Sequence, residues 1–187
     1  MMKRIMIMML ALLIGMGSAM GEMKGPRGAG QADLQQGIDL MESDPEAAMA
    51  RFLAADEAGN KKAARYVGLM YEQGLGVEQD HAQAASWYEK GVEAGDLTSG
   101  YYLGLLCKQG LGVDQDYKKA AEHFASVAAS ENKSATGVVD AGYELAQLYE
   151  QGLGVERDVD HAIALYQEAA ECGSEDAAAA LERLNAE

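Results

Sequence analysis

Small and large apolar residues alternate with polar ones at helical spacing along most of the chain, and the pattern comes back in register. Three copies of Gly-Leu-Gly-Val, at 74–77, 110–113 and 152–155, set that register. Seven residues before the first Gly of each copy stand Val67, Leu103 and Leu145, and one residue later Gly68, Gly104 and Ala146. Ala64, Gly100 and Gly142 lie four residues before those small positions, and Tyr71, Cys107 and Tyr149 one turn after them. All fall on one face of a helix, small enough to let a partner helix approach closely.

A second helix follows each loop. Asp44, Asp80 and Asp116 stand 36 residues apart and Asp158 follows after 42. A short carboxylate at such a place accepts the unpaired N–H groups of a first turn, so helices are predicted to begin near residues 45, 81, 117 and 159, with Pro45 suited to its first position. Within them Ala48, Ala84, Ala120 and Ala162 are each followed four residues later by Phe52, Tyr88, Phe124 or Tyr166, small against aromatic. Gly59, Gly95 and Gly173 close these helices, with Glu131 in that place in the second repeat. Self-similarity at this period predicts an all-α solenoid of helix-turn-helix repeats.

The segments expected are a degenerate N-terminal helical hairpin at 31–60, repeats at 61–96, 97–137 and 138–173, and a capping helix at 174–187. The six extra residues of the second repeat fall at 132–137, read as a surface loop insertion that can extend a binding face. Ahead of the repeats, Lys3 and Arg4 precede an apolar run over 5–16 and the small residues Gly17, Ser18 and Ala19. The run is shorter than the roughly 20 residues that span a bilayer, so 1–19 is predicted to be a signal peptide cleaved after Ala19, followed by a flexible linker at 20–30. This sends the mature chain to the periplasm or outside the cell, with no stable membrane insertion afterwards.

At 187 residues the chain is long enough to bury a core, and with only two Pro its composition suits helices. Its formal net charge is −15. Cleavage removes two basic residues and no acid, leaving 13 basic against 30 acidic and a charge of −17. Nucleic acid and anionic membranes should repel such a chain, and a basic protein partner should be attracted. Cys107 and Cys172, the only cysteines, are expected to be free and mostly buried.

No catalytic constellation is legible. His81, His123 and His161 form no i, i+4 pair, so no metal site is expected, nor any cofactor. The glycines Gly74, Gly76, Gly110, Gly112, Gly152 and Gly154 are structural: their loops lack the Gly-Lys-Ser/Thr ending of a phosphate cradle and sit at helix C-termini, whose partial negative charge disfavours phosphate. The loops themselves are expected to contact nothing.

Val67-Gly68-Leu69-Met70-Tyr71-Glu72-Gln73-Gly74-Leu75-Gly76-Val77-Glu78-Gln79-Asp80, with Ala84, Trp87, Tyr88 and Gly95, resembles the Sel-one-like repeat, a relative of the tetratricopeptide repeat. The resemblance covers residues 61–173, with departures at Cys107, Glu131, His123 and Leu165. It implies a right-handed α–α superhelix that serves as a non-catalytic scaffold or adaptor for protein partners in the bacterial envelope. Two alternatives stay open: a β-lactam-binding hydrolase like cysteine-rich relatives, which this chain resembles poorly for want of paired cysteines, and an immunity protein that neutralises a toxic effector. By the same resemblance, the first-helix stripe opposite the small face lines the concave surface. It runs through Lys62, Arg65, Tyr66, Leu69, Glu72 and Gln73, then Thr98, Tyr101, Tyr102, Leu105, Lys108 and Gln109, then Asp140, Tyr143, Glu144, Gln147, Glu150 and Gln151. Partner contact is expected at Arg65, Tyr66, Leu69, Tyr101, Tyr102, Leu105, Tyr143 and Gln147, because Tyr and Arg are frequent interface anchors.

Expressed from its full reading frame in a Gram-negative host, the chain should be recovered with Met20 as its first residue. Intact-mass spectrometry checks this, and a product that retains Met1 would refute the leader.

Overall fold

The computed structural model describes residues 28, 30–133 and 137–186. The leader, most of the linker and residues 134–136 of the insertion lie outside them. Among the described residues there are nine helices and no strand: α1 Gln31–Leu40, α2 Pro45–Glu57, α3 Ala63–Gln73, α4 His81–Glu93, α5 Leu97–Gln109, α6 Tyr117–Ala128, α7 Val138–Gln151, α8 Val159–Glu171 and α9 Glu175–Asn185. Each packs on the next, and like helices also meet directly, α3 with α5 and α5 with α7. That contact puts the first helices on the inner side of a solenoid of helical hairpins.

The aspartates act as expected. Asp44, Asp80, Asp116 and Asp158 are the N-caps of α2, α4, α6 and α8, each accepting from one or two backbone N–H groups of the first turn. Gly59, Gly95 and Gly173 follow their helices in the left-handed region. Where Glu131 replaces that glycine, α6 stops at Ala128, one residue short of α4 in register. Lys133 then donates to the Ala128 carbonyl at 2.7 Å, so the start of the insertion supplies a cap that the missing glycine does not.

Inside each hairpin an aromatic wedge fills the space a side chain would take. Phe52, Tyr88, Phe124 and Tyr166 are almost wholly buried, as are the alanines one turn before them. A Cβ added at Gly68 would lie 2.6 Å from the Tyr88 ring, and one at Gly104 2.6 Å from Phe124. Gly37 meets Phe52 in the same way at 2.5 Å, so the first hairpin keeps the lock although it lacks the Gly-Leu-Gly-Val loop. Burying an aromatic of this size contributes about 2–3 kcal/mol in each unit.

The loops do make contacts, contrary to the expectation from sequence. A Cβ at Gly76 would lie 2.8 Å from the backbone of Pro45, one at Gly112 2.2 Å from that of His81, and one at Gly154 2.3 Å from that of Tyr117. Each loop therefore seats its second glycine on the opening turn of the preceding unit's second helix, backbone against backbone. Three further hydrogen bonds close each loop on itself. In the first repeat the N–H groups of Leu75 and Asp80 donate to the carbonyls of Met70 and Tyr71, and the Gln79 side chain donates to that of Glu72. Gln115 and Arg157 repeat the last bond, so three of the carbonyls left unpaired at each helix end are satisfied.

Gly112→Ala should cost about 3 kcal/mol or more, combining left-handed strain with a backbone collision. Gly95→Ala, strained at φ 80 but facing open space, should cost only about 1–2 kcal/mol. Urea denaturation of the two variants reads the difference, and equal losses would remove the seating contact.

Candidate interaction face

The inner stripe is only half exposed. Arg65, Tyr66, Leu69, Tyr101, Tyr102, Leu105, Tyr143 and Gln147 are all intermediate in burial, while Thr98, included in the stripe by spacing, is buried. The tyrosines lean on the wedges beneath them. Tyr66 stacks on Phe52 at 4.9 Å between ring centroids and Tyr102 on Tyr88 at 5.2 Å, each joining a first helix to the unit before it. Tyr101 and Tyr143 tilt against Phe124 and Tyr166 of their own units. Part of every one of these rings is committed to packing, and the rest forms the inner surface.

Arg65 is spent in the same way. Its guanidinium lies over the Tyr66 ring at 4.9 Å and 3.5 Å from Asp96. Asp96 is buried, where it caps α5 by accepting from the Ser99 N–H and hydroxyl. This cap is not among the aspartates marked by the 36-residue spacing. Its signal was an N-cap residue directly after a closing glycine, seen at Asn60, Asp96 and Ser174.

A polar row runs along the stripe two residues before each loop. Glu72 accepts the Tyr88 hydroxyl bond, and Glu150 accepts that of Tyr166 at 2.9 Å. In the second repeat the wedge is Phe124, which has no hydroxyl, and the matching position holds Lys108. Lys108 turns forward instead, to Glu144 at 2.5 Å and Gln147 at 2.9 Å. Between α7 and α9 a cleft of about 590 Å³ is lined by Tyr143, Gln147, Glu150, Tyr166, Asp176 and Arg183.

The phenols on this face hold their protons tightly. Burial, then the bond to the neighbouring glutamate, raises Tyr88 and Tyr166 well above the usual phenol value. Tyr101 is pushed up to about 12, first by burial and then by the charges of Asp140 and Glu144.

The other candidate chemistry is dispersed. Cys107 is buried, and burial raises its thiol, but Cys172, the C-cap residue of α8, is exposed, which corrects the expectation of two mostly buried thiols. His123 is held below its ordinary value by burial, and His161 sets its ring edge against Tyr149 at 4.5 Å. Among the described residues no three His, Cys, Asp or Glu side chains are placed to hold a metal ion, and no helix is long and apolar enough to cross a membrane.

A family model described as Sel1 repeat matches residues 61–96, 101–132 and 139–174. Two solved structures are similar at 28% identity. One is a protective antigen present in uropathogenic Escherichia coli strains and displaying an SLR fold, with a TM-score of 0.72 over 83% of this chain and 33% of that one. The other is a Sel1 repeat protein from Oxalobacter formigenes, with a TM-score of 0.71 over 79% of this chain and 59% of that one. The present chain thus spans about a third of the first and three fifths of the second. Cysteine rich protein B of Helicobacter pylori, at 20% identity and a TM-score of 0.51 over 86% of this chain and 98% of that one, shares the fold alone. No curated protein matches the sequence.

Stability should fall as pH rises from about 10 to about 12. An unfolded tyrosine loses its proton near 10 while folded Tyr101 keeps its own to about 12, so the native state binds more protons across that window. Urea titrations at stepped pH should show the fall, and Tyr101→Phe should make it shallower while Tyr88 and Tyr166 still contribute; an unchanged slope would exonerate Tyr101.

Proposed function

The chain belongs to the Sel1 repeat family, and from that premise we propose that it is a non-catalytic scaffold that holds a segment of a partner protein along the inner stripe of α3, α5 and α7. That Sel1 repeats generally mediate protein–protein interaction supports this reading. The observation that carries the finer reading is the stripe itself. Half-exposed Tyr66, Tyr101, Tyr102 and Tyr143 are rigidified from below by buried rings, so little side-chain freedom remains to be lost on binding. Leu69, Leu105 and Gln147 lie between them on the same face, and the cleft between α7 and α9 continues the surface toward the C-terminal end.

We place this activity in the bacterial envelope or outside the cell, on the strength of the charged, apolar and small-residue pattern of residues 1–19. The excess of acids favours a basic partner surface, which long-range attraction would steer onto the stripe.

Affinity capture from envelope extracts, with the recovered partner then purified, tests the face. Tyr101→Ala combined with Tyr143→Ala should weaken that partner by about 2 kcal/mol or more, the loss expected when an anchor is truncated. A urea midpoint measured in parallel separates lost binding from lost packing. Unchanged affinity in the folded double variant would move the interface elsewhere.

A further inference from the structure

Along the inner stripe, the residue two places before the loop reaches forward to the next first helix in the second and third repeats. Lys108 reaches Glu144 and Gln147 on α7. Glu150 reaches Arg183 on α9, whose guanidinium gives bonds of 2.7 and 2.9 Å to its two carboxylate oxygens, while Tyr166 holds Oε2 from behind. Glu72 stands in the setting of Glu150, at the same place before its loop and with its own Oε2 bonded by the hydroxyl of Tyr88, the wedge 16 residues on.

What differs is the forward neighbour. In repeat register, the positions that supply Arg183 and Gln147 hold Leu105 ahead of Glu72, and the one that supplies Glu144 holds Tyr102. Neither carries a charge. Among the described residues Glu72 has no ion pair, and the nearby basic side chain on its own helix, Arg65, is held at 3.5 Å by Asp96 and lies over the Tyr66 ring. Glu72 is half-buried beside the buried Tyr88, and the half-exposed Tyr102 stacked on Tyr88 is the aromatic ring there that a guanidinium can reach.

We propose that Glu72 anchors a subsite for the guanidinium of an arginine side chain, presented by an extended basic segment of a partner protein, which makes to Glu72 the pair that Arg183 makes to Glu150 within the chain. The inference rests on the inner stripe being the binding face. The internal pair supplies the template, with Nη2 of Arg183 meeting both carboxylate oxygens of Glu150, and arginine is favoured over lysine because a guanidinium also packs its plane on an aromatic ring while an ammonium is a compact, strongly hydrated charge. At Glu150 the same subsite is filled by Arg183 of α9, so among the described residues the partner's arginine is received at the first repeat.

The probe is a synthetic peptide of three Gly-Arg-Ser-Gly units, titrated into the full mature chain at about 150 mM NaCl and followed by amide chemical shifts. Shifts are expected on α3 and α5 around Glu72. Glu72→Gln, which keeps an acceptor for Tyr88, should weaken binding about tenfold. Glu78→Gln removes the same charge from the exposed loop and should leave affinity within about twofold. Arg183→Leu, which installs the residue found in this register at Leu69 and Leu105, should add a second set of shifts around Glu150. If the peptide shifts the inner helices but Glu72→Gln binds as tightly as the wild type, the subsite is refuted and the face stands. Equal weakening by the two glutamine variants would reduce the effect to net charge and also refute it. Shifts confined to α4, α6 and α8, or none at all, would refute both readings.

Discussion

The repeat depends on one steric constraint: the second glycine of each loop sits where no Cβ can go. Gly76, Gly112 and Gly154 touch the backbone that opens α2, α4 and α6, and a left-handed φ of 67, 70 and 71 is needed at the same positions. Only glycine meets both demands. The contact fixes the step from one hairpin to the next, and the stacking of the aromatic wedges then follows. Apolar clusters run continuously through the middle repeats, and Tyr71 and Tyr149 take part in the clusters on either side of them.

Within a hairpin the wedge against a small residue is constant while its polar tip is free to vary. Tyr88 with Glu72 and Tyr166 with Glu150 are two copies of one device. Phe124 and Lys108 change both members together, and no hydroxyl is left buried without an acceptor. The row of charges on the inner surface is thus tied to the identity of a buried ring one layer below. Its signs alternate as Glu72, Lys108 and Glu150, and its ion pairs point forward along the solenoid at the last two.

The helix starts, the caps and the buried face could be read from residue spacing, because they are local. Asp80 and Ala82 lie within one turn of each other, and Ala84 and Tyr88 share a face by helical geometry alone. The inner stripe was readable as a set of positions but not as a set of partners. Spacing marks Arg65 as an anchor, yet its fate depends on Asp96, the buried cap of α5 in the next repeat. Thr98 has the right spacing for exposure and is covered all the same. Cys172 and Cys107 look alike in composition and differ in exposure because they lie at different depths in the stack.

Residue order alone therefore determined an all-helical repeat, its period, its caps and the face each helix buries, since those rest on interactions within a few residues of chain. Tertiary structure alone decided what the Gly-Leu-Gly-Val loop is for. A motif that reads locally as a helix stop becomes, once the hairpins stack, the surface on which each unit sits against the one before. It also decided which carboxylate of the inner row is left without a cation. That outcome rests on which residue the next first helix carries in that register, Arg183 in one unit and Leu105 in another, across a separation that no local period encodes.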